Sequence, residues 1–121
     1  MSYGAEVAMT DVERVRPPEF QLAANFNGQG CTIRLAGELD AAVAARLEQA
    51  LTEAQEAEAK RIVVDVEELS FIDSAGIQAL VGAKRSADSD GWEFVLARPA
   101  GHVRRIFDLA ALDKVVTIVE D

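Results

Sequence analysis

The residues best suited to chemistry in this chain form a short run, Asp73, Ser74, Ala75 and Gly76, between a strand-like apolar stretch and a helix-like one. A serine in the first turn of a helix stands beside unpaired backbone N–H groups and the positive end of the macrodipole, so a phosphate attached there is stabilised. Such a group adds about −1.5 to −2 charges. Here it would join Asp73, and by topology Asp40, at an acidic rim. Residue types alone also allow a plainer reading, in which Asp73 and Ser74 are simply the N-cap pair of the helix. A third reading makes Ser74 a hydrolytic nucleophile with His102, the only histidine, as base. That reading fails on spacing: a nucleophile elbow needs glycine two residues before the serine, and Ile72 stands there. One histidine, one cysteine (Cys31) in a distant hairpin and no spaced carboxylate set offer no metal site. No cofactor and no enzymatic activity are expected.

The elements that must position these residues follow from the apolar periodicity. Residues 1–18 mix charged and small residues and end in Pro17 and Pro18, which reads as a flexible N-terminal tail ahead of one domain over residues 19–121. Phe20, Leu22, Ala24 and Phe26 alternate, Asn27 to Gly30 form a turn, and alternation resumes with Cys31, Ile33 and Leu35. This predicts a β-hairpin. Gly28 and Gly30 serve a hairpin turn better than a phosphate loop, because no helix follows them directly. From Asp40 to about Ala59, Val43, Leu47, Ala50, Leu51 and Ala54 recur at helical spacing, with Asp40 as the expected N-cap. Ile62, Val63, Val64 and Val66 predict a strand buried on both faces. A second helix starts at the Ser74 run, Trp92 to Ala97 make a strand, Val103, Ile106, Phe107 and Ala110 stripe a third helix, and Val115 to Val119 make a last strand.

The order β, β, α, β, α, β, α, β predicts an α/β fold: a mixed, mostly parallel sheet of about five strands with an N-terminal β-hairpin and three to four helices. Sites in such sheets gather at the C-terminal ends of the strands. That rule puts Asp40, Ser74 and Arg98 on one edge.

Composition narrows the partners. Twenty-one acidic against twelve basic residues give a net charge of −9, which opposes nucleic-acid or anionic-membrane binding. Residues 38–73 hold ten carboxylates against Arg46, Lys60 and Arg61, so one face should be strongly negative and the partners should be proteins. No apolar run approaches the roughly 20 residues that a bilayer span needs, the opening residues lack a signal-peptide pattern, and a lone cysteine gives no internal disulfide. A cytoplasmic protein is expected, with no direct membrane insertion.

Three segments carry a resemblance that extends from about Phe20 to Val119: Gly37–Glu38–Leu39–Asp40; Val64–Asp65–Val66 through Leu69, Phe71, Ile72, Asp73, Ser74, Ala75, Gly76 and Ile77; and Val103 to Phe107 through Leu112. The chain resembles the STAS-domain family, above all the single-domain anti-sigma factor antagonists of bacteria. The resemblance implies that Ser74 is phosphorylated by an anti-sigma factor that is also a serine protein kinase. It implies that the unphosphorylated form binds that factor and frees a sigma factor, and that a serine phosphatase restores it. Asp40 would lie beside the serine, contacting the partner or aiding phosphorylation, while Asp73 and Gly76 would shape the loop; Arg98, placed on the same edge by the strand-end rule, is expected to join the partner surface. Ala75 stands where many relatives have a second hydroxyl residue, leaving Ser74 the sole acceptor of the motif. The rival reading is a STAS domain that is never phosphorylated and serves as an accessory subunit of a membrane transporter or a stress-signalling complex.

Overall fold

The computed structural model describes residues 19–121; the expected tail, residues 1–18, lies outside the described residues. Strand β1 (Gln21–Asn27) turns through Gly28 and Gln29 into β2 (Gly30–Leu39), and the two pair antiparallel. Helix α1 (Ala44–Glu56), strand β3 (Arg61–Ile72), helix α2 (Ser74–Asp90), strand β4 (Glu93–Ala97), helix α3 (Gly101–Leu109), a 3₁₀ turn (Leu112–Lys114) and strand β5 (Thr117–Val119) follow. The sheet order is β1-β2-β3-β4-β5, with β2 to β5 parallel. This is the mixed α/β sheet expected from the sequence.

Every parallel crossover advances in the same direction across the sheet. Right-handed crossovers of that kind bring all three helices to one face. The core lies between them: Cys31, Ile33 and Leu35 from β2, Ile62, Val64 and Val66 from β3 and Phe94 and Leu96 from β4 meet Leu47 and Leu51 of α1, Leu80 of α2 and Val103 and Phe107 of α3. Each of the larger aliphatic side chains stabilises the fold by about 1.5–3 kcal/mol on burial. The continuous β-branched run of β3 is therefore not buried on both faces alike. Ile62, Val64 and Val66 are sealed under helices, whereas Val63 is only half-buried and Arg61 and Glu67 are exposed.

Several boundaries differ from the sequence reading, among them the end of α1 at Glu56 and the start of β4 at Glu93, and three have a clear cause. Asp40 is not the cap of α1: its Oδ1 accepts from Ala42 N–H at 3.0 Å and its carbonyl accepts from Val43 and Ala44, so it caps a turn over 41–43, and the helix begins at Ala44. The last strand begins at Thr117 instead of Val115, because the chain first spends Leu112–Lys114 in a 3₁₀ turn after Ala111, a residue at φ 52°. Strand β3 runs on to Ile72, since its register with β2 continues through two irregularities, one between Arg34 and Ala36 and one between Gly37 and Glu38. At each of them β3 carries one residue more than β2. Bulges of this kind re-aim the strand ends beside a site.

Helix α2 sits directly on those ends. A Cβ at Gly76 would stand 2.7 Å from Ile72 Cγ1 and 2.9 Å from Leu39 Cγ, so only glycine allows the first turn this close to the sheet. Gly76→Val is expected to destabilise the protein by about 1–3 kcal/mol through overpacking, read as a lower urea midpoint. An unchanged midpoint would show that the helix is not seated as described.

Candidate functional site

Leu39 and Ile72 are register partners at the ends of β2 and β3, and the N–H of Asp73 donates to the Leu39 carbonyl at 3.2 Å. Asp40 and Asp73 therefore leave the sheet side by side, one strand spacing apart. Asp73 adopts an extended conformation and its Oδ1 accepts from Gly76 N–H at 3.1 Å, a true N-cap. Ser74 is thus the first helical residue and its side chain is exposed. Its position places the hydroxyl at the positive end of a 17-residue helix. Gly76 is buried and meets Leu39 and Ile72, so it shapes the rim from beneath.

Two further residues enlarge the rim. Phe71, partner of Glu38 in the register, is 38% exposed, and its ring stacks on His102 with centroids 5.4 Å apart and planes 3° from parallel. His102, which opens α3, is thereby tied to the end of β3. Its Nε2 is buried without a hydrogen-bond partner, which suits an aromatic packing role. Sequence reasoning weighed His102 as a base for Ser74 and otherwise as a helix-entry residue, without seeing its stacking on Phe71. Glu38 is exposed beside Phe71, so the rim combines carboxylates with one aromatic surface.

Arg98 behaves differently from Asp40 and Ser74. It leaves β4 in a left-handed conformation, φ 60°, which costs a non-glycine residue roughly 1–2 kcal/mol. Two interactions hold it there. Its N–H donates to the Val119 carbonyl at 2.8 Å, and its guanidinium folds back onto Asp65, with Nη2 donating to Oδ2. Nε faces Glu67 Oε1 at 3.2 Å as a charge contact, without hydrogen-bond alignment. Asp65 is 6% exposed and Arg34 Nε stands 3.9 Å from it. These groups, with Leu35 and Glu68, line a cleft of about 170 Å³. The register puts Arg34, Asp65 and Ala97 in one row, on the face away from the helices. The guanidinium of Arg98 is thus engaged by the sheet. Sequence reasoning named Asp65 only within the segment that carries the resemblance and gave it no role, although a single carboxylate inside Ile62 to Val66 was the available signal.

Among the described residues no group of histidine, cysteine and carboxylate side chains could hold a metal ion, and no helix is long and apolar enough to cross a membrane. Burial pushes the Cys31 thiol up, against a smaller lowering by a backbone hydrogen bond with Asn25. A thiol held protonated is a poor nucleophile.

The family model described as Mlab, STAS domain, matches residues 22–120, and the chain belongs to the STAS-domain family. The anti-sigma-B factor antagonist of Listeria monocytogenes is 33% identical over 86 residues, covering 71% of this chain and 75% of that protein. The Bacillus cell fate determinant SpoIIAA in its phosphorylated form superposes with a TM-score of 0.64 at 26% identity, covering 83% of this chain and 90% of that one. An anti-sigma factor antagonist from Mycobacterium paratuberculosis has the same fold, with a TM-score of 0.76 at 20% identity over 85% of this chain and 87% of that one.

The Asp65–Arg98 pair yields a stability test. Arg98→Ala leaves a buried carboxylate that keeps the Glu67 N–H on Oδ1 at 3.1 Å and the outlying Arg34 but loses its close cation, at an expected cost of about 1–3 kcal/mol. Adding Asp65→Val to the same chain should recover part of the loss, the remainder reflecting the Glu67 N–H that loses its acceptor. A double-mutant cycle by urea titration reads the coupling, and additive losses would mean that the pair contributes nothing.

Proposed function

We propose that this protein is an anti-sigma factor antagonist: a non-enzymatic, cytoplasmic regulator that binds an anti-sigma factor with serine-kinase activity, frees a sigma factor, and is switched off by phosphorylation of Ser74 and restored by a serine phosphatase. The observation that carries this reading is the exposed Ser74 at the first turn of α2, capped by Asp73 and set one strand from Asp40. An exposed hydroxyl is reachable by a kinase. A phosphate there is compatible with the helix, because the macrodipole favours it. It also adds negative charge to a rim that already carries Asp40, Asp73 and Glu38, so a partner fitted to the unmodified rim meets repulsion and a desolvation cost. The names of the Listeria relative and of the phosphorylated Bacillus neighbour support the same reading.

Asp40 and Asp73 take different parts in it. Asp73 holds the first turn through Gly76 N–H, so its carboxylate is occupied by the helix. Asp40 spends one oxygen on Ala42 N–H in an exposed turn and keeps the other for a partner or for the hydroxyl during transfer. Gly76 acts beneath the surface, and Arg98 belongs to the partner surface only through the stretch of chain that it holds in place.

Ser74→Ala is expected to bind the anti-sigma factor constitutively. Ser74→Asp should bind at least tenfold more weakly, a difference of about 1.4 kcal/mol. Equal affinities in a calorimetric titration would remove the switch. A phosphate-affinity gel after incubation with the kinase and ATP should shift the wild type and leave Ser74→Ala unshifted. Asp40→Ala should slow phosphorylation or weaken partner binding while costing no more than the ~0.5–2 kcal/mol of a lost cap. A collapse in thermal stability would make Asp40 a structural residue instead.

A further inference from the structure

The two edges of the sheet are not alike. On one side β5 has only three residues, Thr117 to Val119, and the chain then runs into Glu120 and Asp121. Short edges and charge are the ordinary protections against edge-to-edge pairing. On the other side β1 has seven residues, Gln-Leu-Ala-Ala-Asn-Phe-Asn, with no charge and no proline. Its register with β2 runs without a bulge from Gln21↔Ala36 to Asn27↔Gly30. Among the described residues nothing pairs with its outer edge. In a chain of net charge −9, this is a long, straight and neutral edge.

The hairpin fixes which main-chain groups face outward. Gly28 at φ 58° opens a two-residue loop, and such a loop closes on a hydrogen-bonded pair, Asn27 with Gly30. Alternation along an antiparallel ladder then turns Asn25, Ala23 and Gln21 towards β2 as well, and leaves the N–H and C=O groups of Leu22, Ala24 and Phe26 pointing away from the sheet. Those three residues also share the helix-side face. Phe26 is 53% exposed there, a large apolar ring at the margin of the core, and Leu22 is half-buried.

We propose that β1 pairs with β1 of a second copy of this chain, antiparallel about a twofold axis through Ala24. The sequence of the strand is self-complementary in that register. Ala24 meets Ala24, Leu22 meets Phe26 and Phe26 meets Leu22, and all of these are the residues whose main-chain groups face outward. Gln21 meets Asn27 and Ala23 meets Asn25, placing amides together on the opposite face. The exposed Phe26 ring is covered by the partner's Leu22, in a cross-strand pair of the kind that stabilises sheets. No carboxylate or cation is brought opposite a like charge within the paired strands. Two copies of charge −9 repel at long range, so the association strengthens with salt.

Sedimentation velocity on the full chain over a range of concentrations and salt tests this. The wild type is expected to move from monomer to twice the monomer mass as concentration rises. Ala24→Pro removes an outward N–H at the axis and leaves the bonds to β2 intact, because proline is tolerated on an edge whose N–H faces solvent. It should weaken the dimer at least tenfold with an unchanged circular dichroism spectrum. Ala24→Lys, which keeps every main-chain group but sets two ammonium groups against each other, should do the same and serves if the proline variant fails to fold. A wild type that is monomeric at all concentrations, or a dimer untouched by the folded variants, overturns the proposal.

Discussion

The hydrogen bond from the Asp73 N–H to the Leu39 carbonyl is the tie on which the rim depends. It is the last contact between β2 and β3 before the two chains diverge into a turn and a helix. A register slip by one residue would turn the side chains of a strand to the opposite face, and with them the relation of Asp40 to Ser74. Two irregularities in the β2–β3 pairing lie just before this point, so the alignment of Leu39 with Ile72 is set by packing as well as by the ladder. Both side chains are buried, and both touch the space that a side chain at Gly76 would fill.

Much of this was legible in the sequence, and for physical reasons. The hairpin declared itself through alternation on both sides of Gly28, and α2 through the Ser74 run followed by Ile77, Leu80, Val81 and Lys84 at helical spacing and closed by Gly91, although the side chains it buries are those of Ala79, Leu80, Ala83 and Ala87. The element order then fixed the parallel sheet, because a helix between each pair of parallel strands leaves few topologies. What resisted was set by long-range geometry. Asp40 reads as a helix cap because Asp before an amphipathic stretch normally is one; the turn over 41–43 interposes itself only because the chain must climb from β2 onto the helical layer. The extension of β3 through Glu67 to Phe71 carries no apolar alternation that separates it from a loop, since both of its irregularities fall within it. Arg98 was placed at the rim by the topology rule, which locates a residue's backbone but not the direction of a long side chain.

That direction divides the molecule electrostatically. On the face of the sheet away from the described helices, Arg34, Arg98, Asp65 and Glu67 form a cluster in which opposite charges compensate one another. At the rim, Glu38, Asp40 and Asp73 have no cation among the ion pairs formed by the described residues. The difference suits two tasks. A compensated cluster holds the exit from β4 in a costly backbone conformation, whereas an uncompensated one leaves a field for something outside the protein to sense.

The close seat of Gly76 has one more consequence. The first turn of α2 rests on Leu39 and Ile72 with no room for even one added carbon between. A charge at that end of α2 acts on its surroundings as a local potential, which fades within a Debye length of about 8 Å at physiological ionic strength.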